Sequence, residues 1–335
     1  MDKTPAHFNL YNVLKKNGFS TGFFYGGDAK FDKMDRFLTY SGVDRIVDQG
    51  SFGALYRKLP AINGDSWGYD DQSVFAKMLE VQKPDQKPYF NMLFTLSTHS
   101  PFLINRKDYY ENLFKKTMSS GRLSKEQKEW SAKHKKQLTA VLNADDALRG
   151  FFTRYKQRPD FANTIFIITG DHSMPEILLQ SKADRFHVPL LIYSPLLKES
   201  RRFSTTVSHF DVAPTLLAYY RNNYGLHTPK TVAWTTDGLK GAGDKLERGI
   251  PIMKSKDQLH NFIFGNYHLE ENQLFQLKNL EEDPINDEEE RSRVKAHFSN
   301  FKAMNAHFSS VKKLLPDSVT INFFKSAKKP APTRP

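Results

Sequence analysis

The chain has 335 residues, no cysteine, and 49 Lys plus Arg against 37 Asp plus Glu, a formal net charge of +12. A chain of this length can bury a large core, as one α/β domain or as a domain with an appendage, while the lack of cysteine excludes disulfides and thiol chemistry. No run approaches the length of a transmembrane helix, and Met1-Asp2-Lys3 begins no signal peptide, so the chain as given reads as soluble.

In chain order, Leu10 to Asn17 carries apolar residues at helical spacing and stops at Gly18. Ser20 to Tyr25 reads as a strand, followed by Gly26-Gly27 and Asp28, and Met34 to Ser41 as a short helix closed by Gly42. Ser73 to Val81 predicts a helix, and Tyr89 to Leu96 a strand leading into Ser97-Thr98-His99-Ser100-Pro101-Phe102. Residues 105–135 are highly charged and predict a helical or partly mobile insertion; Gln137 to Tyr155 is an amphipathic helix carrying Asp145 and Asp146. Asn163 to Thr169 predicts a buried strand, then come a strand over Val188 to Tyr193 and a helix over Val212 to Tyr220. Strands alternating with helices argue for a mostly parallel sheet covered on both faces.

From Thr228 the pattern changes. Phe262 to Leu269 and Gln273 to Leu277 predict two strands of an antiparallel ribbon, Glu281 to Arg293 is acidic, and Val294 to Leu314 predicts a last helix. Ser326 to Pro335 has the composition of a disordered basic tail. The positive balance fits an acidic partner, but much of it lies in runs such as Lys133-His134-Lys135-Lys136 that a solvated surface also explains. Without a helix-turn-helix, zinc-finger or aromatic-basic signature, nucleic acid is disfavoured.

The strand ending at Thr169 runs directly into Gly170-Asp171-His172. Ligands of open α/β sheets bind at the carboxyl ends of strands, and a hard carboxylate oxygen beside an imidazole nitrogen suits Mn²⁺, Zn²⁺ or Mg²⁺. An Asp that caps a following helix, with His172 in solvent, fits the same residues. His99 follows a strand among Ser97, Thr98 and Ser100, a poor setting for core packing, which favours a role at a site. Asp28 after two glycines reads equally as a turn former or as a pocket residue beside backbone that a ligand can approach. His187 precedes Val188-Pro189 at a strand start and either faces the pocket or is a loop histidine satisfied by backbone, the second fitting better. Asp211 with Pro214-Thr215 reads as a structural helix start, Asp145 and Asp146 as caps or solvated residues, and Trp234 as a buried tryptophan before a pocket rim.

Four segments together resemble the sulfatase-like branch of the alkaline-phosphatase superfamily, and within it the lipoteichoic-acid-synthase-like phosphoglycerol transferases. They are Phe24-Tyr25-Gly26-Gly27-Asp28 through Asp48, Ser97 to Phe102, Gly170-Asp171-His172, and His187-Val188-Pro189 with Ser208-His209-Phe210-Asp211-Val212-Ala213-Pro214-Thr215. The resemblance covers roughly residues 8–225 and, more weakly, the chain to about 315. It implies an α/β sandwich with a large, mostly parallel central sheet flanked by helices and a small C-terminal α+β subdomain. The expected division is a catalytic core over 1–228, a subdomain over 229–318 and a basic tail over 319–335.

The resemblance further implies one divalent metal, Mn²⁺ first and Mg²⁺ or Zn²⁺ as alternatives, with Asp171 and His172 among its ligands. His99, Asp28 and His187 are then the substrate-binding candidates, with His99 contacting the transferring group and protonating the leaving oxygen. The family's remaining Glu ligand and its nucleophilic Thr precede the segment at Phe8 to Gly18, where Met1 to His7 holds Thr4 and no Glu. The expectation is therefore the C-terminal major part of a metal-dependent transferase or ester hydrolase, lacking its nucleophile and inactive as given. Phe31-Asp32-Lys33-Met34 replaces the family's aromatic-basic pair, which puts glycerol-phosphate specificity in doubt. The implied partner is an anionic lipid head group or a cell-envelope glycan or polymer. Full-length relatives are expected to be membrane-anchored through N-terminal helices, with the catalytic domain extracytoplasmic. A sulfatase acting on a sulfated glycan, and an inactive domain that binds an anionic ligand, are the alternatives.

Overall fold

The computed structural model describes residues 4–84, 87–178, 181, 183–239, 241, 248–255, 258–278, 281–311 and 313–326. Two compact units divide the chain. One comprises Gly18–Ile165 with Ser194–Leu196, the other Asp2–Asn17, Phe166–Tyr193 and Leu197–Pro335. The second unit draws on both sides of residue 228.

The first unit is built on a three-stranded parallel sheet in the order β2-β1-β3, from β1 (Ser20–Tyr25), β2 (Arg45–Val47) and β3 (Tyr89–Phe94). The register pairs Phe24 with Val47 and Tyr25 with Phe94, so the turns after β1 and β3 leave the same edge. Central β1 is buried almost throughout, as a parallel strand with apolar residues on both faces should be. Helix α2 (Met34–Tyr40) follows β1, and α3 (Asp71–Val81) turns Val74, Phe75 and Met78 into the core. In α6 (Lys135–Tyr155) the buried residues Thr139, Asn143, Ala147, Phe151 and Tyr155 recur every fourth position, one face of a helix. Phe151 meets Phe75 with ring centroids 4.9 Å apart. The charged stretch expected as an insertion folds into α4 (Lys107–Ser119) and α5 (Lys125–Lys133). Tyr110 and Phe114 anchor α4, and a Ser124–Gln127 capping box starts α5.

The second unit opens with α1 (Leu10–Lys16), started by reciprocal Asn9 and Asn12 side-chain bonds. It continues with the antiparallel pair β4 (Phe166–Thr169) and β5 (Leu190–Tyr193), and with α7 (Val212–Tyr224). The strand expected over 163–169 is shorter because Phe161–Asn163 form a 3-10 turn, and it is half-buried with Thr169 exposed, since β4 has β5 as its one hydrogen-bonded neighbour among the described residues.

Beyond residue 248 a five-stranded antiparallel sheet runs in the order β10-β9-β8-β7-β6, comprising β6 (Gly249–Ser255), β7 (Gln258–Phe264), β8 (Tyr267–Glu270), β9 (Gln273–Lys278) and β10 (Glu281–Ile285). The run expected as one strand over 262–269 breaks at Gly265, whose positive φ turns β7 into β8. Edge strand β10 carries Pro284, which an edge tolerates and a central strand does not. Helix α8 (Glu288–Val311) closes this core with Val294 and Phe298 against Phe262, Phe264, Leu269 and Leu274. Residues 319–325, expected in the basic tail, belong to helix α9 (Asp317–Lys325), and the rest of that tail, 327–335, lies outside the described residues. No helix of the described residues is long and apolar enough to cross a membrane.

Phe262 is buried and stacks on Phe298 with centroids 4.8 Å apart. Phe262→Ala is expected to cost about 3–5 kcal/mol, read by chemical denaturation; a loss below about 1 kcal/mol would contradict this core.

Candidate functional site

In the first unit three segments converge at the edge where β1 and β3 end. After β1, a Cβ on Gly26 would come within 2.1 Å of the Tyr69 carbonyl oxygen, and one on Gly68 within 2.0 Å of the Gly26 carbonyl oxygen. The Tyr69 N–H donates to that same Gly26 oxygen at 2.9 Å. Both glycines are therefore required by a backbone-to-backbone clasp, and Gly68, at φ +116°, also by its conformation. The clasp carries Trp67, which is 44% exposed and has its ring 5.5 Å from that of His99.

His99 is exposed at the end of the segment after β3. Its Nδ1 lies 2.6 Å from the Ser100 carbonyl, which can only accept, so Nδ1 carries the proton and Nε2 holds the lone pair of the neutral ring. Asp28 is half-buried on the neighbouring turn and accepts the Lys30 N–H at 2.9 Å, the turn-forming reading of that residue. Asp48 ties the same turn, accepting Gly50 N–H at 3.0 Å and Ala29 N–H at 3.4 Å.

In the second unit the register of Thr169 with Leu190 brings the residues after β4 beside those before β5. Val188 lies where a Cβ on Gly170 would meet it at 3.2 Å. Asp171 Oδ2 and His172 Nε2 are 3.8 Å apart, and both side chains are more than half exposed. Asp171 does not cap a helix, its Oδ1 instead accepting the N–H of His172 at 3.0 Å. His172 Nδ1 donates to the Ser173 carbonyl at 2.7 Å, so Nε2 holds the lone pair of the neutral ring.

One ion would bridge this pair only at a wide angle, because tetrahedral metal bonds of roughly 2.0–2.2 Å set donors about 3.4 Å apart and Asp171 Oδ2 and His172 Nε2 stand 3.8 Å apart. The pair is incomplete, because no group of three or more His, Asp or Glu suited to a metal occurs among the described residues.

His187 is exposed before β5, and its backbone N–H donates to the Asp184 carbonyl at 3.1 Å. His209, in the quoted motif but given no role from sequence, has Nε2 2.8 Å from the Gly170 carbonyl and 3.3 Å from Thr169 Oγ1. It braces the turn from behind, and its ring proton is used by that carbonyl. Asp211 is fully buried, accepts the Ser208 N–H at 2.7 Å and pairs with Arg248, which confirms a structural role and adds a partner that charge pattern alone did not name. Asp146 accepts Tyr110 OH at 2.9 Å and pairs with Arg149, while Asp145 is exposed. Trp234 is partly buried with its indole N–H on the Phe8 carbonyl at 3.0 Å, a packing role.

The sulfatase family model matches residues 2–221, well over half of the chain. The chain belongs to the sulfatase family.

Among curated relatives of this sulfatase-family chain, the lipoteichoic acid synthase-like protein YvgJ of Bacillus subtilis is 23% identical over 249 residues, covering 69% of this chain and 37% of that protein. Lipoteichoic acid synthase 1 of the same organism is 25% identical over 248 residues, covering 68% of this chain and 35% of its own length. The chain thus spans about a third of the length of these relatives.

Two solved structures share the fold. The lipoteichoic acid synthase LtaP of Listeria monocytogenes has a TM-score of 0.68 at 18% identity, covering 92% of this chain and 74% of its own. A protein of the alkaline phosphatase superfamily from Vibrio parahaemolyticus has a TM-score of 0.61 at 24% identity, covering 98% and 72%. The mixed α/β architecture, with its parallel sheet, flanking helices and C-terminal antiparallel sheet, is that of this superfamily.

Asp171→Ala and His172→Ala are each expected to weaken Mn²⁺ binding by more than the roughly 10- to 100-fold that loss of an outer hydrogen-bond partner costs. Elemental analysis after equilibrium dialysis reads the outcome, and unchanged metal content in a folded variant would refute the ligand assignment.

Proposed function

We propose that this sulfatase-family chain serves a metal-dependent phosphoryl transferase of the phosphoglycerol type, or a sulfuric or phosphoric ester hydrolase, acting on cell-envelope lipid or glycan substrates. The observation that carries the reading is the Asp171–His172 donor pair on the turn after β4, within a family match that spans 2–221. An anionic lipid head group or envelope polymer as partner, and an extracytoplasmic place of action, belong to the same proposal. So does a catalytic core through residue 228 with a C-terminal subdomain over 229–318.

In this reading Asp171 and His172 would hold the ion, Mn²⁺ by first choice. When bound, a divalent ion lowers the pKa of an attacking hydroxyl and neutralises charge on the nonbridging oxygens of the transferred group. His172 keeps its ligand tautomer because the Ser173 carbonyl takes the Nδ1 proton. His99, protonated at Nε2, would donate that proton to the leaving oxygen as its bond to phosphorus or sulfur breaks, while the attacking hydroxyl forms the new bond and gives up its own proton to solvent. Asp28, on the turn after β1 in the first unit, and His187, before β5 in the second, are each substrate-binding candidates in the same proposal.

Two donors are fewer than a tight site supplies; a full structural Zn²⁺ site contributes on the order of 10 kcal/mol. Residues 1–335 alone are therefore expected to bind metal weakly. This incompleteness favours, as a second reading, a domain that binds an anionic ligand without turning it over.

Purified 1–335 with Mn²⁺ is expected to show no hydrolysis of p-nitrophenyl phosphate or p-nitrophenyl sulfate above background. A kcat in the ordinary enzyme range of about 1–1000 s⁻¹ would overturn the incompleteness argument. His99→Ala is expected to weaken glycerol 3-phosphate binding by about tenfold with metal binding unchanged, about 1.4 kcal/mol of lost contact; lost metal would make His99 a ligand instead.

A further inference from the structure

The geometry points to Asp71 as a positioning residue for His99, its buried carboxylate fixing the turn that aims the imidazole from the β3 edge. The inference rests on reading His99 as the substrate-side group and adds a residue that the reading does not contain.

Asp71 is 1% exposed, in the first turn of α3. It is not needed as the helix cap. That place belongs to Asp70, whose Oδ1 takes the Ser73 N–H at 2.9 Å and whose Oδ2 takes the Asn105 amide at 2.9 Å. Asp71 reaches the other way, where one oxygen, Oδ1, accepts the backbone N–H of Leu96 at 2.9 Å and of Ser97 at 3.0 Å.

Those amides lie just beyond β3 and begin the turn carrying His99. The Leu96 carbonyl accepts the His99 N–H at 3.0 Å, and the His99 carbonyl accepts the Phe102 N–H at 2.7 Å. Asp71 thus holds the first two residues of the turn, the turn's own bonds hold His99, and the Ser100 carbonyl holds its ring. The clasp of Gly68 and Tyr69 on Gly26 immediately precedes Asp70-Asp71. One short segment therefore supplies the aromatic neighbour of His99 and the carboxylate beneath its turn.

Stability alone is a poor reason for this residue. Burial pushes the Asp71 carboxyl upward from its ordinary range, and the two amide bonds, which pull it down, do not cancel that effect. A group with a raised folded-state pKa contributes stability that is lost as pH rises through that pKa. The ionised carboxylate is thus costlier to bury than the protonated one, and an apolar residue in its place would leave the Leu96 and Ser97 N–H groups without this acceptor. What an apolar residue cannot do is accept two converging N–H groups and so dictate the path of the chain after β3.

The test uses the whole chain with Mn²⁺ and glycerol 3-phosphate as the probe. Asp71→Ala is expected to weaken the probe about tenfold, matching His99→Ala, and the double variant to lose no more than either alone, the signature of two residues acting through one contact. Asp71→Asn keeps an oxygen for both amides and is expected to stay within about twofold of the parent. Ring ¹⁵N shifts of His99 should move in Asp71→Ala and return in Asp71→Asn. The Tm of the parent, relative to Asp71→Asn, should rise as pH falls from about 7.5 to about 4, because the parent carboxyl then takes up its proton.

Hydrogen exchange of the Leu96 and Ser97 amides in the parent needs no variant to fold, and exchange at the free-peptide rate overturns the proposal. Unchanged His99 ring shifts in a folded Asp71→Ala overturn it as well. His99→Ala that binds the probe like the parent overturns the substrate-side reading instead, and the ring shifts and amide exchange still decide the role of Asp71.

Discussion

A carboxylate cannot be taken out of water unless hydrogen-bond donors replace it. Asp71 meets that condition with two backbone amides aimed at one oxygen, and the arrangement constrains much around it. The amides lie just beyond the end of β3, where the chain turns inward. The carboxylate belongs to the start of α3, so the helix must begin where its neighbour Asp70 can cap it. The loop before it must cross Gly26 at backbone contact, which admits glycine alone at 26 and 68. The edge of the first unit that presents His99, Trp67 and Asp28 is thus held by few groups, each with little freedom to change.

The second unit holds its own turn with imidazole, hydroxyl and carbonyl groups rather than a buried carboxylate. The Gly170-Asp171-His172 turn is exposed, and apolar packing alone does not fix it. His209 bonds the Gly170 carbonyl, the Ser173 hydroxyl bonds the Arg185 carbonyl, and the Ser173 carbonyl takes the His172 ring proton. Farther out, Glu282 on β10 accepts the Ala183 N–H at 3.2 Å and contacts buried His268 on β8. The C-terminal sheet thereby reaches the segment leading to His187, which gives it a bearing on the turn despite its distance in sequence.

Local signals were legible in the sequence where spacing and punctuation agree. Helix α1 ends before Gly18, α6 repeats its buried residues every fourth position, and β1 ends on Phe23-Phe24-Tyr25 before two glycines. The metal-capable pair was legible because chemistry-bearing residues followed an apolar run directly. Strands with weak or contrary composition were not. β10 is acidic and contains proline, and only its pairing with β9 and the contact of Glu282 with His268 give it a face. His209, Trp67 and Asp71 were not singled out because their roles are made by partners far along the chain. A pair of Asp residues before an apolar helix signals a cap, and Asp70 is that cap. Nothing local says that its neighbour turns toward residues 96 and 97.

The charge of the chain and the geometry of its turns bear on different parts of recognition. An excess of +12 attracts anions of any kind, and at physiological ionic strength exposed charges more than about 8 Å apart are largely screened from one another. Such a field raises encounter rates and discriminates little between a phosphate ester, a sulfate ester and an acidic polymer. Discrimination has to arise within hydrogen-bonding distance, from an imidazole whose direction is fixed and from donors whose protons are already assigned. Both His99 and His172 give their Nδ1 protons to a backbone carbonyl of the following residue, so in each neutral ring Nε2 holds the lone pair. One such ring lies beside a carboxylate and the other beside an indole. The two imidazoles thus share a tautomer and differ in what stands beside them.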